Sequence, residues 1–165
     1  MKLVITDVSV LFDLYKLKIL HFFFNQDWDI YTTDFVYNEI VNIEQIIEFQ
    51  EYVEKSLLKI ITISAEETKQ IEAMILSRIN RSFPDRSILW KAIQLDAVLL
   101  TCDKSLRKEA DLKKIEVHGT LWIIEQLVGN GIITKNNGIQ LLNQLLQSNA
   151  RAPKNEIKRL ENKWK

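Results

Sequence analysis

The stretch AVLLTCDKSL, residues 97–106, decides the fold. Ala97–Thr101 is a short apolar, partly β-branched run and reads as a buried strand, yet it leads straight to Asp103. A turn, or a cap for a helix beginning near Leu106, would explain one such carboxylate. KLVITDVSVL, residues 2–11, repeats the arrangement, with a strand over Leu3–Thr6 and Asp7 behind it. Two strands that each deliver an acid at the carboxyl end suggest one shared edge rather than two unrelated turns.

Outward from these two strands, hydrophobic spacing predicts helices between them. One helix is expected over Val10–Phe24, then a short strand over Asp27–Thr32. Thr33 or Asp34 caps a helix that carries Val36, Ile40, Ile43, Ile46 and Ile47 at helical spacing. Leu57–Ile63 reads as a strand or a connecting segment, and Ser64 with Glu67 forms a capping-box pattern. Ser82-Phe-Pro-Asp85 opens another helix, with Pro84 where a first turn tolerates it. Beyond Asp103, a short helix at Leu106–Ala110 and a strand at Ile115–Val117 lead to a helix through Leu127. Gly129 and Gly131 close that helix, and Thr134 opens one that runs to about Gln147. Strands alternating with helices give an α/β fold: an open, mostly parallel central sheet flanked by helices, with extra carboxy-terminal helices. Ligands of such sheets gather outside the carboxyl ends of the strands, where Asp7 and Asp103 fall.

The chain's 165 residues suit one domain with a single sizeable core. Lys plus Arg and Asp plus Glu both number 22, so overall charge points to no polyanionic partner. Cys102 is the one cysteine, and no Cys/His pair has zinc-ligand spacing. No basic-then-apolar leader or apolar run near 18 residues is present, so the expectation is a cytoplasmic protein without a membrane partner. Residues 1–150 read as the domain and 151–165 as a basic helical tail, six basic residues standing against two acidic ones. A solvated terminal helix is the ordinary reading of such a charge run.

Four acids are candidate site residues: Asp7, Glu39, Asp85 and Asp103. Each has an ordinary role available. Asp7 and Asp103 can start helices, Glu39 can be an exposed helix charge, and Asp85 suits the positive end of a helix dipole. Gathered in one cleft they would repel one another unless protonated or neutralised by a cation. All-oxygen ligation suits Mg²⁺ or Mn²⁺ rather than zinc. Such ions activate water and stabilise charge at a phosphodiester.

The segments ITDVS, FVYNEI and PDRSILWKAIQLDAVLLTCDKSL together resemble the PIN domain, the fold of VapC-type ribonuclease toxins and related nucleases. The pattern is an acid after strand one, then Val36-x-x-Glu39, then Asp85 with Ala92 seven residues on, and then Thr101-x-Asp103. VHGTLWIIEQLVGNGIIT, residues 117–134, is similar to the carboxy-terminal part of one branch of the family. That branch often has Gly-Glu where this chain has Pro84-Asp85, and often Asn at the first acid, which here is Asp7.

The resemblance implies a single PIN-like domain and a metal-dependent ribonuclease. Asp7 and Asp103 would ligate Mg²⁺ or Mn²⁺, and Asp85 and Glu39 would complete the shell or orient water. Ser9 would be a secondary polar contact near the metal; its other reading is the N-cap of helix one. The products would be a 3′-hydroxyl and a 5′-phosphate. The same resemblance implies RNA as substrate and, for a toxin, an antitoxin partner and a homodimer. The alternative is a non-catalytic PIN-like scaffold that binds RNA or protein.

Other α/β chemistries lack their residues. There is no P-loop, and strand one is followed by Asp7-Val-Ser9 rather than Asp-x-Asp. Gly129-Asn-Gly131 follows a helix and lacks a third glycine. His21 and His118 both sit beside apolar neighbours and support no catalytic triad.

Overall fold

Lys2–Thr6 forms β1, the middle strand of a five-stranded sheet in a computed structural model that describes residues 2–77, 81–149 and 151–165. β2 (Trp28–Thr33) and β4 (Val98–Leu100) flank β1, β3 (Lys59–Ile61) lies outside β2, and β5 (Val117–His118) lies outside β4. All four pairings are parallel, with Ile5 opposite both Tyr31 and Leu99. A parallel sheet covered on both faces needs strands apolar at consecutive positions. Val4 and Ile5 on β1, and Leu99 and Leu100 on β4, are fully buried.

Because side chains alternate across a strand, these neighbours enter different cores. Val4 and Leu100 belong to the larger cluster, Ile5 and Leu99 to the smaller one. The larger cluster draws on α1 (Val8–Lys16), α2 (Leu20–Phe24), α4 (Ile43–Glu54), α8 (Thr120–Gly129), α9 (Lys135–Ser148) and α10 (Lys154–Trp164). The smaller one lies beneath α3 (Asp34–Tyr37), α6 (Phe83–Leu95) and α7 (Lys104–Leu112), and α5 (Ala65–Ala73) packs on α6.

Two helices expected as single rods are broken. The Val10–Phe24 helix is interrupted at Lys18, which takes a left-handed φ of 57°. Leu17 and Ile19 lie two positions apart, about 200° around a helix, yet both are buried. Only a turn between them puts both into the core. The second break spans residues 38–42. Asn42 starts α4 afresh by accepting from Gln45 N at 3.1 Å. Ile40 is buried as expected, but Ile43 and Ile47 are 72% and 60% exposed and are not core residues.

Local signals elsewhere form as the residues dictate. Ser64 and Glu67 make a reciprocal capping box, Glu67 N donating to Ser64 Oγ at 3.2 Å and Ser64 N to Glu67 Oε2 at 2.9 Å. Thr134 caps α9 through Asn137 N at 3.1 Å. The third strand is shorter than Leu57–Ile63, and the fifth starts two residues later than expected, at Val117–His118. The terminal helix α10 turns its basic residues outward, while Ile157, Leu160 and Trp164 are buried in the larger core. Gly138 on α9 makes room for it, since a Cβ there would lie 2.9 Å from the Trp164 ring. No helix among the described residues is long and apolar enough to cross a membrane.

Candidate active site at the carboxyl edge of the sheet

Asp7 stands at the N-cap position of α1, yet its side chain makes no capping bond. Instead Oδ2 accepts from Ser9 Oγ at 2.6 Å and from Thr101 Oγ1 at 2.7 Å. Each hydroxyl also accepts a backbone bond from the segment after β4. Cys102 N donates to Ser9 Oγ at 3.2 Å, and Asp103 N donates to Thr101 Oγ1 at 3.1 Å. The ends of β1 and β4 are therefore stitched together around one buried carboxylate. Oδ1 of Asp7 takes part in none of these bonds. Ser9 lies inside the first turn and does not cap helix one; it is a hydroxyl that positions Asp7.

Asp103 and Asp85 both fill the ordinary roles open to them. Asp103 caps α7, its Oδ1 accepting from Leu106 N at 2.5 Å, and half of its side chain remains exposed. Asp85 sits in the first turn of α6, where Ser82 Oγ accepts from Asp85 N at 3.3 Å and Pro84 occupies the preceding position. Glu39 lies in the turn just after α3 rather than within a helix, its N–H donating to Val36 O at 3.1 Å.

The electrostatics couple these acids pairwise. Burial pushes the Asp85 carboxyl above its usual range; the negative charges of Asp7 and Asp103 push it further, against the pull of Arg81. Burial likewise raises Glu39, with Asp7 and Asp85 adding to the effect. Asp85 thus feels the charges of Asp7 and Asp103, and Glu39 those of Asp7 and Asp85.

A cation already touches two of them. Arg81 Nη1 is 3.3 Å from Asp85 Oδ2 and 3.7 Å from Asp103 Oδ1, and Nη2 donates to Ser105 Oγ at 2.6 Å. The Arg81 side chain is buried, and its Nε has no hydrogen-bond partner among the described residues. Nor do any three His, Cys, Asp or Glu side chains among those residues close on a common ion position. The donor set is nonetheless chemically fitted to a hard divalent ion, being oxygen only, with Arg81 near just Asp85 and Asp103.

Further from the acids, Asp13 Oδ2 accepts from Thr120 Oγ1 at 2.9 Å and from Cys102 Sγ at 3.5 Å. Burial, chiefly, pushes the Cys102 thiol up to about 11. His118 stacks on Trp122 with centroids 4.2 Å apart and pairs with Glu116 at 2.8 Å. Phe23 and Phe24 fill the core, and Trp28 stacks on Trp122 at 5.2 Å.

A family model described as a PIN domain matches residues 3–165. The chain belongs to the PIN-domain family. No curated protein matches it. Among solved structures, this PIN domain is similar to a PilT N-terminus domain protein from the hyperthermophilic archaeon Sulfolobus solfataricus P2. The two are 12% identical, with a TM-score of 0.49, over 80% of this chain and 95% of that one.

Two residues of this PIN domain escaped the sequence reading. Thr101 was visible only as part of a Thr-x-Asp pattern, although its hydroxyl both holds Asp7 and receives Asp103 N. Arg81 carried one usable signal, its position four residues before Asp85, where helix-like spacing pairs opposite charges.

Proposed function

We propose that the chain is a divalent-metal-dependent ribonuclease hydrolysing RNA phosphodiester bonds. The observation that carries this reading is the set of acids at the carboxyl edge of the sheet, where burial first, and neighbouring negative charge second, hold Glu39 and Asp85 above their usual range. Those four side chains would hold Mg²⁺ or Mn²⁺. The ion, when bound, neutralises the cluster, activates water and offsets charge building on the phosphate.

The chain's own residues do the rest. Ser9 and Thr101 fix Asp7 by engaging Oδ2 alone, so that Oδ1 remains available to a cation. Asp103 is held rigid by its capping bond, and Asp85 by the start of α6. Glu39 sits on a turn, and burial raises its carboxyl above the usual range. It is the group suited to orient water and take its proton.

Asp7→Asn tests this reading. Cleavage of single-stranded RNA should fall by about a thousandfold or more, on the scale of a catalytic group removed from a working set, with an unchanged melting curve. Digestion at the parental rate in Mn²⁺ would overturn the assignment. Membership of a toxin–antitoxin pair, with a neutralising protein and a homodimer, belongs to the same proposal; the neighbouring gene tests it.

The Arg81 bridge between Asp85 and Asp103 favours one second reading, a scaffold that binds RNA or protein without cutting it. A melting temperature that ignores Mn²⁺, together with uncut RNA, supports that reading, because a ligand selective for the native state must raise stability.

A further inference from the structure

We infer that a cavity of about 560 Å³ beside the acid cluster seats a nucleotide of the RNA strand, its phosphate held by Arg107. The inference rests on the ribonuclease reading and names a substrate subsite for it. The cavity shares a wall with the cluster through Ser9 and Asp103. Lys104 and Arg107 enter it from α7, and Arg151 and Arg159 from the chain before and along α10. Its volume falls within the roughly 300–1,000 Å³ of pockets that enclose small ligands.

The charges in that wall are unevenly satisfied. Its carboxylates are engaged: Asp13 by Thr120 and Cys102, Asp103 by Leu106 N and Arg81, Glu125 by Lys163 at 2.8 Å, and Glu156 by Arg159 at 3.0 Å. Lys104, Arg107 and Arg151 form no ion pair among the described residues. Three unpaired cations in a cavity that opens on a phosphodiester-cutting site fit an anion.

Arg107 is also placed with care. A Cβ on Gly119 would lie 2.9 Å from Arg107 Nη1 and 3.3 Å from Thr101 O. The backbone there is extended, so glycine serves the close approach and not an unusual turn. The guanidinium therefore rests over Gly119, beside the residue that holds Asp7. Arg107 lies one helical turn beyond Asp103, Arg107 N donating to Asp103 O at 3.0 Å. One turn rises about 5.4 Å, a distance that a single strand can span from the cut phosphate to a neighbour. A half-open cavity of this size admits an unpaired nucleotide more readily than a duplex.

The test measures binding of a fluorescein-labelled pentaribonucleotide in Mg²⁺, in the Asp7→Asn background so that nothing is cut. Arg107→Gln should weaken binding by about tenfold and lower the slope of log K against log salt by roughly 0.7, the loss of one phosphate contact on a single strand. Gly119→Ala keeps the charge and dislodges Arg107, so it should weaken binding in the same direction. Lys158→Gln, exposed on α10 and outside the cavity, is the charge-matched control and should stay within about twofold of the parent. Should Arg107→Gln melt early, Gly119→Ala and Arg151→Gln decide in its place. Binding by folded Arg107 and Gly119 variants that matches the Lys158→Gln control would overturn the subsite, even if the parent chain cuts RNA. Arg107-dependent binding by a parent chain that cuts no RNA keeps the subsite and overturns the nuclease.

Discussion

Arg81 and Asp85 form a half-buried ion pair, Nη1 to Oδ2 at 3.3 Å, inside a group of acids that one guanidinium does not neutralise. Replacing Arg81 with Gln should leave Asp7, Asp85 and Asp103 less compensated. The metal-free protein should melt lower, by an amount on the order of 1–2 kcal/mol after allowing for the exposure of Asp103. In the proposed site Arg81 and the ion share two carboxylates, so Mn²⁺ should stabilise Arg81→Gln more than it stabilises the parent. Thermal melts in EDTA and in Mn²⁺ read both effects. An equal Mn²⁺ response in the two proteins would show that Arg81 does not share the ion's site.

Asp85 should make the metal-free protein less stable as pH rises. Its folded-state carboxyl titrates above the unfolded value of 3.8, so between those two points the native state binds more protons and stability falls with increasing pH. Glu39 acts in the same direction above 4.5, whereas Asp29, Glu67 and Glu116, held low chiefly by bonds to Lys59, Lys91 and Lys2, act oppositely at lower pH. Asp85→Asn isolates the effect. In EDTA the variant should be more stable than the parent at neutral pH, with the advantage vanishing in acid. Urea unfolding at a series of pH values checks this, and an advantage that grows in acid would refute it.

Thr101→Val should cost about 1–3 kcal/mol, the penalty for leaving buried polar groups without a partner. The hydroxyl it removes donates to Asp7 Oδ2 and accepts from Asp103 N at a fully buried position. Urea denaturation measures the loss. Cleavage should fall with it, since Asp7 is then held by Ser9 alone.

Cys102 should resist alkylation in the folded protein. With its thiol pushed up to about 11, only about one molecule in a thousand carries the thiolate at pH 8. Iodoacetamide should therefore react roughly a hundredfold more slowly with native protein than with protein unfolded in urea. Similar rates in the two states would mean that the Asp13–Thr120–Cys102 network opens readily.

How far residues alone reveal this molecule depends on the range of the interaction. The sheet was legible because β1 and β4 are apolar at consecutive positions and each is followed by an acid, a pattern local to ten residues. The broken helices were not, because Leu17 and Ile19 would fall on opposite sides of a continuous helix, and only tertiary packing shows that the same core takes both. Ile43 and Ile47 misled for the opposite reason: spacing identifies a face, but nothing local says whether another element covers it. For the site, the four acids stood out at strand ends and helix starts, whereas their stitching by Thr101 and Ser9 joins positions more than ninety residues apart. Arg81 was hidden by its own ordinariness, one basic residue among 22.

The change in charge at residue 150 invites shortening the chain there, but α10 makes that cut a deep one. Removing it would strip Ile157, Leu160 and Trp164 from their neighbours and lay open the leucines of α9 that they cover. It would also take away one bank of the cavity beside Asp103. A trimmed protein would be sticky through its new apolar face, and a lost grip on RNA would then say nothing about the basic residues themselves. Their contribution is better weighed one side chain at a time, with the helix left docked.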